Sequence, residues 1–360
     1  MLPVIEARAP GKLVIVGEYA VLHGAPGISV AVDVPALARL QFRRGPDSEL
    51  LIPDTGEHFG FRWDTAGRVS WLDNAPGALG LPLACCLATL AAQGLWHAAA
   101  AASACRIELD TAAFHGRSAA GQRIKLGLGS SAAVLVALMG ALLTLAQAAP
   151  LTHDELTALC CAAHRRLQGG SGSGIDVATA VAGGVISIEP SADDRGPRTK
   201  HLAWPRDLHM LAIWSGHSAS TPAMLARLQN YREQQAEACA DHMAQLGNIA
   251  VQSLSAWQQE DVAAMLAALD RYASALQQLD QDADIGIYRG GHAAMRAIAR
   301  AHGAVYKPSG AGGGDFGIAL AASGQLLDAV ARDFSNRGYT CLEAGLCAPG
   351  LTVTSGAQPR

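Results

Sequence analysis

Gly127-Leu128-Gly129-Ser130-Ser131-Ala132 runs without a break into the apolar stretch 132–149. Two glycines in three positions free the backbone for close approach to a ligand, and the serines stand where a helix begins. A helix N-terminus offers unpaired N–H groups and the positive end of its dipole, the combination that binds phosphate. Lys125 adds a compact positive charge beside it. The residues alone leave two readings open: a phosphate-binding loop made of Lys125, Gly127, Leu128, Gly129, Ser130, Ser131 and Ala132, or an ordinary glycine turn leading into a core helix. In either case Ser130 or Ser131 is the expected N-cap. The hexapeptide is not a GxxxxGK[ST] loop, because no lysine follows the second glycine, and not a GxGxxG turn, because the third glycine is absent. The run after it approaches membrane-spanning length, but it is rich in alanine and follows a Gly/Ser turn, so it reads as a buried core helix.

Outward from that loop, the 360-residue chain is half apolar and 16% charged, a mix that suits a packed soluble enzyme and excludes a disordered or fibrous chain. The length predicts one large domain or two intimately packed ones. A formal charge of −4 provides no positive field for nucleic acid or an anionic membrane, so neither is an expected partner. The eight cysteines lack CxxC spacing and read as small core residues in a reducing, cytoplasmic compartment. Residues 1–10 lack the basic flank and apolar run of a signal peptide, and export is not expected.

Residues 4–9 and 13–16 read as two short strands and 28–34 as another. A helix-like region at 84–104 precedes a strand at 106–109 and a polar loop containing Gly116, Arg117, Gly121 and Lys125. Thr152-His153-Asp154-Glu155 has capping-box spacing and starts a helix expected to end near Gln168. Ser171-Gly172-Ser173-Gly174-Ile175-Asp176 is a donor-rich turn before a small-residue helix that stops at Gly183-Gly184. Residues 185–205 read as a strand and a charged surface loop, 221–279 as helical, and 304–306 and 316–320 as strands around Lys307-Pro308-Ser309-Gly310-Ala311-Gly312-Gly313-Gly314-Asp315.

Pro10-Gly11-Lys12 with Gly17-Glu18-Tyr19, GLGSSA at 127–132 and SGAGGGD at 309–315 stand in the order of three motifs, and on them the chain resembles the GHMP kinases. The resemblance implies an α+β GHMP kinase fold: an N-terminal domain like the second domain of ribosomal protein S5 (1–205) and a ferredoxin-like C-terminal domain (206–360), with ATP between them. It places the ATP phosphates on 125–132, Mg²⁺ on Ser131, and Lys12 beside the transferring phosphoryl group or the acceptor. Glu18, Tyr19, Ser309, Gly310, Ala311, Gly312 and Asp315 would face the acceptor.

By its residues alone, Asp176 is either a carboxylate able to accept a proton from the attacking oxygen or a helix-capping residue. The resemblance favours the first, since an aspartate after such a turn is the family's candidate base. Ala163-His164-Arg165-Arg166-Leu167-Gln168-Gly169 with Gly172-Ser173-Gly174-Ile175-Asp176-Val177-Ala178 resembles the AHxxAQG…GSGxDVA pattern of the phosphomevalonate kinase branch, Leu167 replacing the usual alanine. This implies Ser173 and Gly174 at the acceptor. Mevalonate kinases carry a glutamate metal ligand eleven residues before the aspartate, where this chain has Arg165, so the metal shell must differ. Arg165 and Arg166 suit an acceptor that already bears a phosphate, or are solvent-facing helix residues. His164 and Gln168 share a helical face and are expected to support the Asp176 turn. Ser218 and Ser220 either line the acceptor pocket or belong to a capped loop-to-helix junction, with Ser220 or Thr221 as N-cap before Pro222.

The expected activity is ATP- and Mg²⁺-dependent phosphorylation of 5-phosphomevalonate to 5-diphosphomevalonate by a monomer or homodimer. The alternatives are mevalonate kinase or another GHMP kinase, and, from a different class, a non-catalytic sensor on the same fold.

Overall fold

The computed structural model describes residues 3–72, 74–117, 123–170, 172–191 and 196–357. Gly121, Ser171 and residues 192–195, named above, lie outside them. The first sheet is built around an antiparallel pair, β1 (Pro3–Val16) and β2 (Gly27–Arg43). The expected break within β1 is instead a bulge: its register to β2 shifts between Pro10 and Gly11. Proline lacks an N–H and glycine lacks a Cβ, so this pair suits an irregular step in a continuing strand. The step brings β1 against the glycine loop. A Cβ on Gly11 would lie 3.1 Å from the Leu128 carbonyl oxygen, and Lys12 N–H donates to that oxygen at 2.9 Å.

The sheet continues with β3 (Ser48–Ile52), β4 (Glu57–Trp63), β5 (Val69–Trp71) and β6 (Ala104–Asp110), while β7 (His115–Arg117) and β8 (Arg123–Lys125) form a separate hairpin. With β9 (Val185–Glu189) and β10 (Arg198–Leu202), the spatial order is β10-β9-β2-β6-β3-β4-β5. Only the β3–β6 pairing among these is parallel. The helices α1 (Leu81–Ala92), the short α2 (Ala98–Ala101), α3 (Ser130–Leu145), α4 (His153–Leu167) and α5 (Ile175–Ala182) complete this part. α3 is the expected core helix, buried along nearly its whole length. Its cap differs from expectation. Gly129 is the N-cap at φ 84°, with no side-chain cap bond, and both serines lie inside the first turn. A left-handed glycine ends the loop without a hydroxyl, which leaves the serine side chains for other partners.

α4 carries the expected capping box: Glu155 N–H donates to Thr152 Oγ1 at 3.2 Å and Thr152 N–H to Glu155 Oε2 at 2.8 Å. The second sheet holds β11 (His209–Trp214), β12 (Val305–Pro308), β13 (Phe316–Ala321) and β14 (Thr340–Cys341) in the antiparallel order β12-β13-β11-β14. Helices α6 (Thr221–Gln234), α7 (Ala236–Gln258), α8 (Val262–Ala283) and α9 (His292–Ala301) connect its first two strands, and α10 (Gly324–Asn336) its last two. This is the split βαβ arrangement of a ferredoxin-like sheet. The stretch read as helical at 221–279 divides into three helices, with Asp261 capping α8 by accepting from Ala264 N–H at 2.9 Å. A last strand, β15 (Thr352–Ala357), returns to pair with β1.

All eight cysteines are free thiols. Burial pushes the Cys161 thiol up to about 11 and Cys86 and Cys160 higher still, so these behave as core side chains and not as nucleophiles. Among the described residues no helix is long and apolar enough to cross a membrane.

Candidate active site

Three turns converge where β1 passes the N-terminus of α3. Lys12 on β1 reaches Asp176 in the first turn of α5, with Nζ 3.3 Å from Oδ1. Gly174 at φ 75° is the N-cap of α5 and Asp176 makes no cap bond, so the carboxylate stays free of the capping role. Gly129 lies between the two: a Cβ there would meet Lys12 Cγ at 3.3 Å and Asp176 Oδ2 at 3.5 Å. The glycine thus lets the loop backbone approach an ion pair.

On the other side of the loop stands Asp315. A Cβ on Gly127 would fall 2.1 Å from Asp315 Cγ, inside any tolerated contact. Burial raises the Asp315 carboxyl above the usual carboxylate range, while a bond from Ala219 N–H and the charges of Lys12 and Lys125 oppose that rise. Ser131 Oγ lies 3.3 Å from His164 Nε2, and burial lowers the His164 imidazole against the pull of Asp176. Leu128 and Ala132 are buried as packing residues.

A cavity of about 520 Å³ opens beside this centre, large enough for a small metabolite. Lys12, Asp176, Ser173, Gly174, Gly310 and Ala311 all line it. Glu18 and Tyr19 also border it, but their polar groups are engaged. Glu18 forms a buried ion pair with Lys307 and accepts from Gly310 N–H at 3.3 Å. Tyr19 O–H donates to Ala311 O at 2.5 Å, and burial keeps the phenol protonated. Ser309 Oγ donates to Val14 O at 3.0 Å and accepts from Val14 N–H at 2.8 Å. These contacts fasten the segment 307–311 to the end of β1.

The remaining candidates lie outside the cavity wall. Gly312 packs on Ile287, where a Cβ would meet the Ile287 carbonyl oxygen at 2.5 Å. Ser218 donates to Lys125 O at 2.8 Å, and Ser220 is the exposed N-cap of α6 without a side-chain cap bond. From that junction it is Thr221, Pro222 and Leu225 that face the cavity. Sequence reasoning missed these three, although the Pro at the helix start was the signal for the turn that presents them. A second cavity of about 530 Å³ adjoins the first through His164, Ser173 and Gly174, and Arg165 lines it.

A glycine loop at a helix N-terminus, flanked by a lysine and two aspartates and set beside a cavity lined from both α+β parts, has the character of an anion-binding site. Residues 86–184 match the family model described as GHMP kinases N terminal domain. A phosphomevalonate kinase of Streptomyces sp. (strain CL190) is 30% identical, over 97% of this chain and 96% of its own. The mevalonate kinase of Bos taurus is 26% identical over 99% and 96%. A Streptococcus pneumoniae phosphomevalonate kinase solved with phosphomevalonate and AMPPNP superposes with a TM-score of 0.74 at 20% identity, covering 95% and 99%. The chain belongs to the GHMP kinases, a family of ATP-using enzymes.

Proposed function

We propose that this chain transfers the γ-phosphoryl of ATP to 5-phosphomevalonate, giving 5-diphosphomevalonate and ADP. The observation that carries the reading is the Lys12–Asp176 pair across Gly129, which stands where a phosphate loop and the acceptor cavity meet. The full-length likeness to a phosphomevalonate kinase supports the choice of acceptor. Residues 125–131 hold the triphosphate through backbone N–H groups and Lys125. Lys12 neutralises charge on the phosphoryl group in flight. An oxygen of the acceptor phosphate attacks the γ-phosphorus, the bond to the β–γ bridging oxygen breaks, and ADP leaves. Asp176 takes the proton of the attacking oxygen where it carries one and keeps Lys12 aimed. Transfer of this kind needs positioning more than covalent help.

Among the described residues no three His, Cys, Asp or Glu side chains converge on a metal cage. That fits Mg²⁺, which keeps waters and phosphate oxygens and asks for one or two protein oxygens. Ser131 is the residue assigned to it, with Asp176 nearby. The ion would supply charge neutralisation on the phosphates. Arg165, at the position of the mevalonate kinase glutamate, is a cation and cannot serve. The division of labour falls near 205/206, between β10 and β11, with ATP held mainly by the first part and the cavity closed from the second by Thr221, Pro222, Leu225, Gly310 and Ala311.

An ADP-release assay with ATP and Mg²⁺, offering mevalonate and 5-phosphomevalonate separately, tests the reading. Turnover with 5-phosphomevalonate alone is expected. Turnover with mevalonate alone would move the chain to the mevalonate kinase reading, and silence on both would point to another acceptor or to a sensor.

A further inference from the structure

Asp315 holds a left-handed backbone, φ 57°, directly after Gly314 at φ 154°. For a residue with a side chain, such a conformation persists only where its surroundings over-determine it. The polar groups of this turn are held at four points. Asp315 N–H donates to His217 O at 2.7 Å, Asp315 O accepts from Ser215 N–H at 2.9 Å, and Oδ1 accepts from Ala219 N–H at 3.3 Å. Those three partners are backbone groups of one segment, 215–219. The fourth is a side chain from another element: His292 Nε2 lies 2.7 Å from the Gly314 carbonyl oxygen.

His292 is fully buried at the start of α9, and its Nδ1 is 2.8 Å from Tyr306 Oη on β12. A carbonyl only accepts, so Nε2 carries the proton, and in the neutral ring Nδ1 accepts from the Tyr306 hydroxyl, for which Met295 Sδ at 3.2 Å is the weaker, more distant acceptor. The opposite tautomer would set two acceptors, Nε2 and the Gly314 carbonyl oxygen, against each other in a buried site. The imidazole is thus fixed in orientation and protonation by Tyr306 at one end, and by the loop it restrains at the other. Burial is the main force keeping it neutral, at about 4.

We infer that His292 is a positioning residue for nucleotide binding: with Tyr306 it clamps the Gly314–Asp315 peptide and so seats the Asp315 carboxylate beneath Gly127. The inference rests on the reading of 125–131 as the ATP phosphate loop. Its reach comes from the absence of slack. Gly127 has no room to approach Asp315 further, and the charges of Lys12 and Lys125 both act on that carboxylate. A shift of the peptide therefore moves the loop and changes the field at two cations meant for phosphate.

The test is equilibrium ATP binding by calorimetry, run beside steady-state kinetics and thermal melts. His292→Leu removes the donor and is expected to weaken ATP binding and raise the KM for ATP by about 10- to 100-fold, with the KM for the acceptor moving far less. His292→Gln, whose amide nitrogen reproduces the Nε2–H, is expected to stay within about threefold of wild type. Because His292 acts through Asp315, adding His292→Leu to Asp315→Asn should weaken ATP binding little beyond Asp315→Asn alone. Additive losses, or a folded His292→Leu protein with unchanged ATP affinity and only a lower melting temperature, would overturn the inference. Should His292→Leu not fold, Tyr306→Phe with and without Asp315→Asn gives the same non-additivity test. A wild-type chain that binds no ATP would refute the phosphate-loop reading and the inference with it, a result visible before any variant is made.

Discussion

Two lysine–carboxylate pairs sit at the same junction and behave as opposites. Lys12 and Asp176 meet at 3.3 Å with the carboxylate 39% exposed, whereas Lys307 and Glu18 are sealed at 0% and 2%. In the sealed pair both side chains are buried, and beyond each other they meet only backbone groups, Pro308 O for Lys307 and Gly310 N–H for Glu18. Burial pulls the Lys307 ammonium down, and Glu18 is what holds it up. Around it, Tyr272 O–H donates to Glu18 O at 2.7 Å and Lys307 to Pro308 O at 2.7 Å, so the pair fastens the second part of the chain to the first. In the open pair water reaches the Asp176 carboxylate, and in the proposed reaction the nearly buried Lys12 exchanges that carboxylate for a phosphate oxygen. Exposure, and not residue type, separates the pair proposed to react from the structural one.

That separation can be broken by swapping readouts. Asp176→Asn is expected to lower kcat by about 10²–10⁴ while the urea midpoint reports a stability change under about 1 kcal/mol. Near-wild-type turnover would remove Asp176 from the chemistry. Lys307→Met leaves Glu18 buried and unpaired, which should cost about 3–5 kcal/mol in urea unfolding. The combination Glu18→Gln with Lys307→Met should recover much of that loss, since burying an uncompensated charge is the main penalty. A stable Lys307→Met protein that cannot turn over would reverse the two roles.

The sealed side also predicts a pH response. His292, with Tyr306, Lys307 and His217 as its titratable neighbours, is lowered from 6.5 to about 4. The unfolded chain therefore takes up the proton first as pH falls. The contribution of His292 to stability is intact above about pH 6.5 and is lost progressively between 6.5 and 4, by about 3 kcal/mol. Urea midpoints across this window should show the slope in wild type and a shallower one in His292→Gln.

Much of the open site was legible because each of its parts needs a residue type that leaves a trace. Gly127 and Gly129 answer close backbone approach, Asp176 offers a carboxylate after a Gly/Ser turn, Lys12 is reached only through the family resemblance, and Thr152 with Glu155 announces a helix start by spacing alone. The sealed side left no comparable trace. Nothing near Lys307 in the sequence points to its partner, 289 positions away. Tyr272 sits in a helical pattern where any large residue would satisfy the periodicity, and His292 falls in 280–303, where no element is expected. The serines after Gly129 misled as caps because a left-handed glycine ends the loop as well as a hydroxyl does. Ser220 marked the right junction, but the pleat of the turn presents Thr221 and Leu225 to the cavity instead. Local chemistry is written locally; contacts across hundreds of residues are settled by packing.

The smallest expected effect lies between the two extremes. Ser218 Oγ donates to Lys125 O at 2.8 Å, a tie between the second part and the phosphate loop, but the serine is exposed. Water can replace the lost partner on Lys125, so Ser218→Ala should change stability by under about 1 kcal/mol, at the low end for a hydrogen bond. What it removes is a restraint on the loop, and a restraint of that size corresponds to at most about a fivefold rise in the KM for ATP, with kcat unchanged. A loss of stability as large as that of Lys307→Met would mean that burial does not rank these ties. An unchanged KM at wild-type stability would mean instead that the phosphate loop is held by Asp315 and the Lys12–Leu128 bond without help from Ser218.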